Sequence, residues 1–210
     1  MSSYITLSRV QVQNANCIAG ITYGFPAVTQ FLGFVHALSR KLKNSHKIEL
    51  SGCAIACHQH QVHSYRTESI NKEGHKFYSD YFFKQTKNPA AFPYQENNIG
   101  GDTPIIEEGK MHLTVSLVIE CEGFSGAAAD LIQLVEHIKQ LCFTQNMAGG
   151  VITQIKDVFF DTIEKETDFR RIRHRLMPGF ILRDRSEYLS EHLEKVILIL
   201  ITANSIILIR

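Results

Sequence analysis

"ITLSRVQVQNAN", residues 5–16, begins as a half-buried strand does, with apolar and polar residues alternating, and then breaks into a run of amides. Gln11, Gln13, Asn14 and Asn16 carry donors and acceptors but no cleavage chemistry, so this strand end promises hydrogen bonding. After it, "CIAGITYGFPAVT" reads as a structured loop punctuated by Gly20, Gly24 and Pro26, and a helix opens at Ala27 or Thr29. "AVTQFLGFVHALSRKLK" sets Phe31, Phe34, Val35, Leu38 and Leu42 three and four apart, an amphipathic stripe. Arg40, Lys41 and Lys43 close that helix, where cations complement its dipole. "KIELSGCAIACHQHQVHSY", residues 47–65, returns to strand character with a bulge or turn near Gly52.

Residues 67–109 keep no lasting period and hold Gly74, Pro89, Pro93, Gly100, Gly101 and Pro104 among aromatics and amides. A stretch this long exceeds an ordinary connection and reads as an insertion. "KMHLTVSLVIEC", residues 110–121, is a strand. "GAAADLIQLVEHIKQLCFT", residues 126–144, is a second amphipathic helix with Leu131, Leu134, Val135, Ile138 and Leu141 inward, and "NMAGGVITQI" supplies a Gly-Gly turn into a fourth strand. The sum is an α+β chain in which two β-α-β units flank the insertion. This is the split βαβ, ferredoxin-like or RRM-like arrangement with an antiparallel sheet. Residues 1–66 and 110–195 make this domain, 67–109 the insertion and 196–210 an apolar tail.

With 210 residues, 44% hydrophobic and 20% charged, the chain has enough apolar material for one sizeable core. Its formal net charge of +1 implies no global attraction to nucleic acid or anionic membrane, so any basic site must be local. Five scattered cysteines and a start without a signal peptide point to the cytoplasm and reduced thiols. "VILILITANSIILI", residues 196–209, is interrupted by Thr202, Asn204 and Ser205 and falls short of the roughly 20 residues that span a bilayer. Its composition fits a buried element or an altered C-terminus, and no membrane anchor is expected.

The local basic site is "FRRIRHRLMPGFILRDR", residues 169–185. Arg170, Arg171, Arg173, Arg175, Arg183 and Arg185 there suit phosphate, because a guanidinium donates paired hydrogen bonds and keeps its charge. The same residues also fit a solvated face paired with Glu164, Glu166 and Asp168. In the insertion, "FYSDYFFKQTKNPAAFPYQENN" interleaves aromatics with Lys76, Lys84 and Lys87, a composition that stacks splayed bases, or else packs a hairpin on its own domain or a partner. "CHQHQVH" puts His58 and His60 on one strand face, yet a structural zinc needs four ligands and no second Cys/His pair stands at a standard spacing. His36 would serve as the base of a metal-independent ribonuclease, but no partner for it can be named. "GFSGA" lacks the last Gly of a nucleophile elbow, and there is no phosphate-binding Gly loop.

Taken together and in order, "SRVQVQNANCIAGITYGFPAVTQFLGFVHALSRKL", "IIEEGKMHLTVSL", "MAGG" and "HRLMPGFIL" resemble the handle-binding subunits of the type I-F CRISPR (Csy) surveillance complex. These form the Csy-two family in the Cas-five branch of the RAMP proteins, and the likeness runs from about Tyr4 to Leu193. It implies an RRM-like domain with an inserted thumb-like β-hairpin, and a non-catalytic subunit without cofactor or metal. Such a subunit would hold the 5′ handle of a crRNA, pair with the large Csy subunit, adjoin the backbone subunits and meet target DNA only indirectly. Carried onto this chain, Gln11, Gln13, Asn14 and Asn16 would read handle bases, with Arg9 nearby for phosphate. The alternative for Asn14 and Asn16 is that they satisfy the backbone of the following loop. Lys84, Lys87, Asn88 and Phe92 of the thumb, Gly149 and Gly150 of the turn, and Arg170, Arg171, Arg173 and Arg175 complete the expected RNA contacts. Two rival readings remain: a ribonuclease using His36, and a truncated protein-binding decoy.

Overall fold

The apolar residues of the opening strand fall at Ile5, Leu7, Val10, Val12 and Ala15, a spacing of two and three that a regular strand cannot place on one side. The computed structural model describes residues 2–20, 22–78, 82–87, 105–123, 128–164, 168–183 and 187–188. In it β1 (Ser2–Asn16) carries two bulges, one between Leu7 and Val10 and one between Val12 and Ala15. Arg9 (φ 48°) and Asn14 (φ 56°) take up the left-handed backbone there. Each bulge inserts one residue and returns the next apolar side chain to the same face, so all five are buried.

The short hairpin β2 (Ile18–Ala19) and β3 (Thr22–Tyr23) precedes helix α1 (Val28–His46) and strand β4 (Glu49–Val62). Small strands β5 (Ser64–Tyr65), β6 (Glu68–Ile70), β7 (Lys76–Tyr78), β8 (Phe82–Lys87) and β9 (Ile105–Glu108) lead to the long β10 (Lys110–Glu122). Then come helix α2 (Ala128–Phe143), β11 (Asn146–Met147), β12 (Gly150–Ile163), helix α3 (Phe169–Leu176) and β13 (Phe180–Ile181).

Six strands form the main sheet in the order β11-β12-β1-β10-β4-β13, every neighbouring pair antiparallel. The four long strands therefore stand fourth, first, third and second across it, and each of α1 and α2 carries the chain over one intervening strand. Both helices lie on one face. Phe31, Phe34, Val35, Leu38 and Leu42 of α1 and Leu134, Ile138 and Cys142 of α2 share one core with Leu7, Val10, Val12, Leu113, Leu117 and Ile155. Burying each large aliphatic or aromatic side chain contributes about 1.5–3 kcal/mol relative to exposure. Ser39 fastens α1 to β4: its Oγ accepts from Leu50 N–H at 2.8 Å and donates to Leu50 C=O at 3.2 Å. Lys47 (φ 58°) ends α1 by donating its N–H to Lys43 C=O.

The opposite face is only partly covered. Ile172 and Leu176 of α3 pack there on Ala56 and Ile163, with Tyr4 and Val118 beside them. Arg175 pairs with the buried Asp161 and lies 4.0 Å from the centre of the Phe159 ring. An unpaired carboxylate at that depth would be strongly destabilising, so this arginine holds α3 to the sheet. The acidic partner of Arg175 is Asp161 on β12, which stands beside Tyr4 of β1 in the sheet.

One expectation changes in detail. The turn into the fourth long strand uses Ala148 (φ 51°) and Gly149 (φ 75°) as its central pair, while Gly150 is already the first residue of β12. The described strands of residues 67–109 are paired, β6 with β7 and β8 with β9, and β8 also pairs with β5 just before the insertion. Lys76 ion-pairs with Glu68 at 2.6 Å across the first of these hairpins, and Arg66 lies 4.7 Å from the centre of the Tyr78 ring. Among the described residues no helix is long and apolar enough to cross a membrane. The apolar tail, residues 196–209, lies outside the described residues.

Candidate nucleic-acid interface

The bulges that keep Val10, Val12 and Ala15 inward leave Gln11 and Gln13 on the open face. There Gln11 stands directly opposite Thr114 of β10, which stands opposite Gln59 of β4, and in the next rung His112 stands opposite Gln61. A third bulge, at His58, sets the phase of Gln59, since Val115 pairs with Cys57 and Thr114 with Gln59. Together with Gln13 and Thr153 these residues line a shallow cavity of about 240 Å³. None of the lining side chains is a Lys, Arg, Asp or Glu. The side-chain amides of Gln11, Gln13, Gln59 and Gln61 have no hydrogen-bond partner among the described residues, so each offers a donor pair and an acceptor outward.

His112 belongs to this cavity and is held from two sides. Its Nδ1 accepts from the Asn14 N–H at 3.4 Å, and its ring meets that of His63 edge-on, 4.2 Å between centres. Burial, and then the neighbouring His112, lower the pKa of His63. A histidine whose folded value is depressed binds its proton more readily in the unfolded chain, so stability falls as pH drops below about 6.5. Thermal denaturation at pH 7.5 and 5.5 checks this: the midpoint is expected to fall more in the parent protein than in His63→Asn. An equal fall in both would remove His63 from the account.

The expected site residues divide into groups. Gln11 and Gln13 are at the cavity, and Asn14 is exposed beside it. Asn16 instead serves the loop: its Oδ1 accepts from Ile18 N–H at 3.1 Å and its Nδ2 donates to Ile18 C=O at 3.0 Å. The Asn16 N–H donates to Ala148 C=O at 2.8 Å, which seats the Ala148–Gly149 turn against the end of β1. Arg9 donates from Nη2 to Met177 C=O at 3.1 Å. Of the α3 arginines, Arg175 is taken up by Asp161 and Arg171 stands 4.0 Å from the same carboxylate, whereas Arg170 is exposed and Arg173 borders a second, more apolar groove under α3. Lys84 and Lys87 stand on β8, opposite Glu108 and Ile105. Asn88 and Phe92 lie outside the described residues.

Other candidates lie away from this face. His36 is exposed on α1, on the far side of the sheet from the cavity. His58 and His60 are parted by the bulge: His58 reaches Ser116 on the open face, while His60 pairs with the core residue Leu113 and so belongs to the helix side. All five cysteines are free thiols, and burial pushes Cys142 up to about 12 and Cys121 to about 11, far from thiolate at neutral pH.

Gln59, Gln61, Thr114 and Thr153 went unread in the sequence. Their signal in the sequence is the alternation of Gln59 and Gln61 in "CHQHQVH", which places two amides on one strand face.

A family model described as CRISPR-associated protein (Cas_Csy2) matches residues 5–203, nearly the whole chain. The chain belongs to the Csy2 family. It is also similar to CRISPR-associated protein Csy2 of Pseudomonas aeruginosa (strain UCBPP-PA14), with 32% identity over 203 residues, 90% of this chain. The chain spans 58% of the length of that relative. The residues matched by the Csy2 family model include every residue that lines the cavity described above.

Proposed function

We propose that this chain is a non-catalytic RNA-binding subunit that holds the 5′ handle of crRNA and pairs with the large subunit in a type I-F Csy complex acting on DNA. The observation that carries the reading is the open sheet face, where unpartnered amides of β1 and β4 flank Thr114 and His112. An unstacked base presents donors and acceptors at its edge, and neutral amides match them one for one where a row of lysines would grip any phosphate alike. The order of the four long strands supports the ferredoxin-like, RRM-like arrangement, in which the sheet face opposite the helices receives RNA. The paired strands β8 and β9 support an inserted thumb. In such a cytoplasmic ribonucleoprotein the guide RNA reads the target by base pairing, so this subunit's task is to hold a defined RNA end.

The test is co-expression of the chain with the large, backbone and processing subunits and a CRISPR array, followed by sequencing the 5′ ends of the RNA that copurifies. A uniform handle is expected. Retention of the large subunit with no RNA would replace this reading by that of a protein-interaction module.

A further inference from the structure

The open face has a wall at its α3 end, the turn Met177-Pro178-Gly179 that carries the chain from α3 to β13. The turn is tied down from beneath. His58 Nδ1 lies 2.7 Å from Pro178 C=O, which only accepts, so Nδ1 is the donor there. Its Nε2 lies 2.6 Å from the Oγ of Ser116, a fully buried side chain, and that Oγ also accepts from the Arg9 N–H at 2.9 Å. The Arg9 guanidinium then reaches round to Met177 C=O. Beyond the turn, Leu182 N–H donates to Ile55 C=O at 3.0 Å. Gly179 leaves no slack: a Cβ there would sit 2.8 Å from Leu176 O and 2.9 Å from His58 Nδ1.

Both holding residues stand in bulges. The backbone of Arg9 is left-handed, and His58 is the extra residue of β4 between Cys57 and Gln59. Bulges aim a side chain off the regular pleat. One row away are Gln11 on β1 and Gln59 on β4, the two sides of the amide cavity. The bulges that phase the amides therefore also hold the wall.

We infer that Arg9 and His58 are positioning residues, which latch the Met177–Gly179 turn across β1, β10 and β4 and so set where a base seated on the amides is stopped. This rests on the RNA reading above, but the latch has its own readout. Arg9 is accordingly engaged by the protein itself, and its part in RNA binding is exerted through the turn. Met177, 63% exposed, is the side chain the wall presents outward.

The experiment uses the full chain with a fluorescent single-stranded RNA of handle sequence, and compares the parent with His58→Ala, His58→Asn and Gly179→Ala. Amide exchange at Ile181 and Leu182 is expected to quicken about tenfold in His58→Ala, the scale of one or two lost hydrogen bonds. RNA affinity should drop about fivefold, while the thermal midpoint moves by less than about 4 °C. His58→Asn, which keeps a donor near Pro178, restores part of both. Gly179→Ala gives the same pair of changes with His58 intact. Unchanged exchange in His58→Ala and Gly179→Ala would overturn the latch. Faster exchange with undiminished affinity would overturn its role in RNA placement while leaving the RNA reading standing. Failure of the parent to bind RNA at all would overturn that reading and the positioning role together.

Discussion

Gly150→Ala lowers the thermal midpoint of the chain by about 6–12 °C, the shift for a protein of this size that follows from about 3 kcal/mol of destabilisation. The reason is the seat of β12 beneath β1. A Cβ at Gly150 would lie 2.5 Å from Gln13 O, 2.7 Å from Ala15 N and 2.8 Å from Val12 Cγ1. Two of those neighbours are backbone and cannot swing aside. Relief requires that the end of β1 lift, and with it the bulge of Gln13 and Asn14 and the Asn16 N–H bond to Ala148. RNA affinity is therefore expected to fall along with stability. Gly33→Ala is the matched control: a Cβ at this helical glycine meets nothing within 4 Å. It should stabilise by about 0.5–1 kcal/mol through helix propensity. Melting curves of both variants decide the matter, and an unmoved midpoint for Gly150→Ala would mean that the β1–β12 contact is looser than described.

Replacing Gln11, Gln13 and Gln59 together by Ala is expected to weaken binding of handle RNA about a hundredfold, at roughly 1 kcal/mol for each lost hydrogen-bonding amide. The fold should be indifferent, because all three are exposed and their side chains have no partner among the described residues. Two features separate base reading from general attraction. Discrimination against RNAs with altered handle bases should flatten, since the lost groups are those that match base edges. The dependence of affinity on salt should stay as it was, since no cation has been removed. Titrations at two salt concentrations with native and base-altered RNA read both. A triple variant that binds as the parent does would place the RNA elsewhere than on this face.

Much of this architecture was legible because it is written in local periodicity. The stripe Phe31, Phe34, Val35, Leu38, Leu42 could serve only a helix with one buried side, and that is how α1 packs. The bulge expected near Gly52 is present, as Ile119 pairs with Cys53 and Cys121 with Leu50. The insertion was harder to read, since its apolar and polar residues come in short clusters such as Phe82-Phe83 and Ile105-Ile106 with no lasting period. Asn16 illustrates a different limit: an amide that closes a turn and an amide that reads a base are the same residue type, and only the position of the Ile18 backbone distinguishes them.

By itself the amino-acid order determined the succession of the four long strands with α1 and α2, the stripes those helices turn inward, and the family, through runs such as "QNAN" and "FLGFVHAL" whose specificity lies in their order. Tertiary structure decided which residues join Gln11 and Gln13 at the candidate site. Gln11 and Gln59 are 48 positions apart and meet across Thr114 because β10, which comes later in the chain, is inserted between β1 and β4. Likewise Arg175 answers to Asp161, and Arg9 and His58 to a turn at residues 177–179. Periodicity is a property of neighbours in sequence, whereas strand order and bulge phase are settled by competition among distant pairings for one core. That competition chose which polar side chains were left facing outward together.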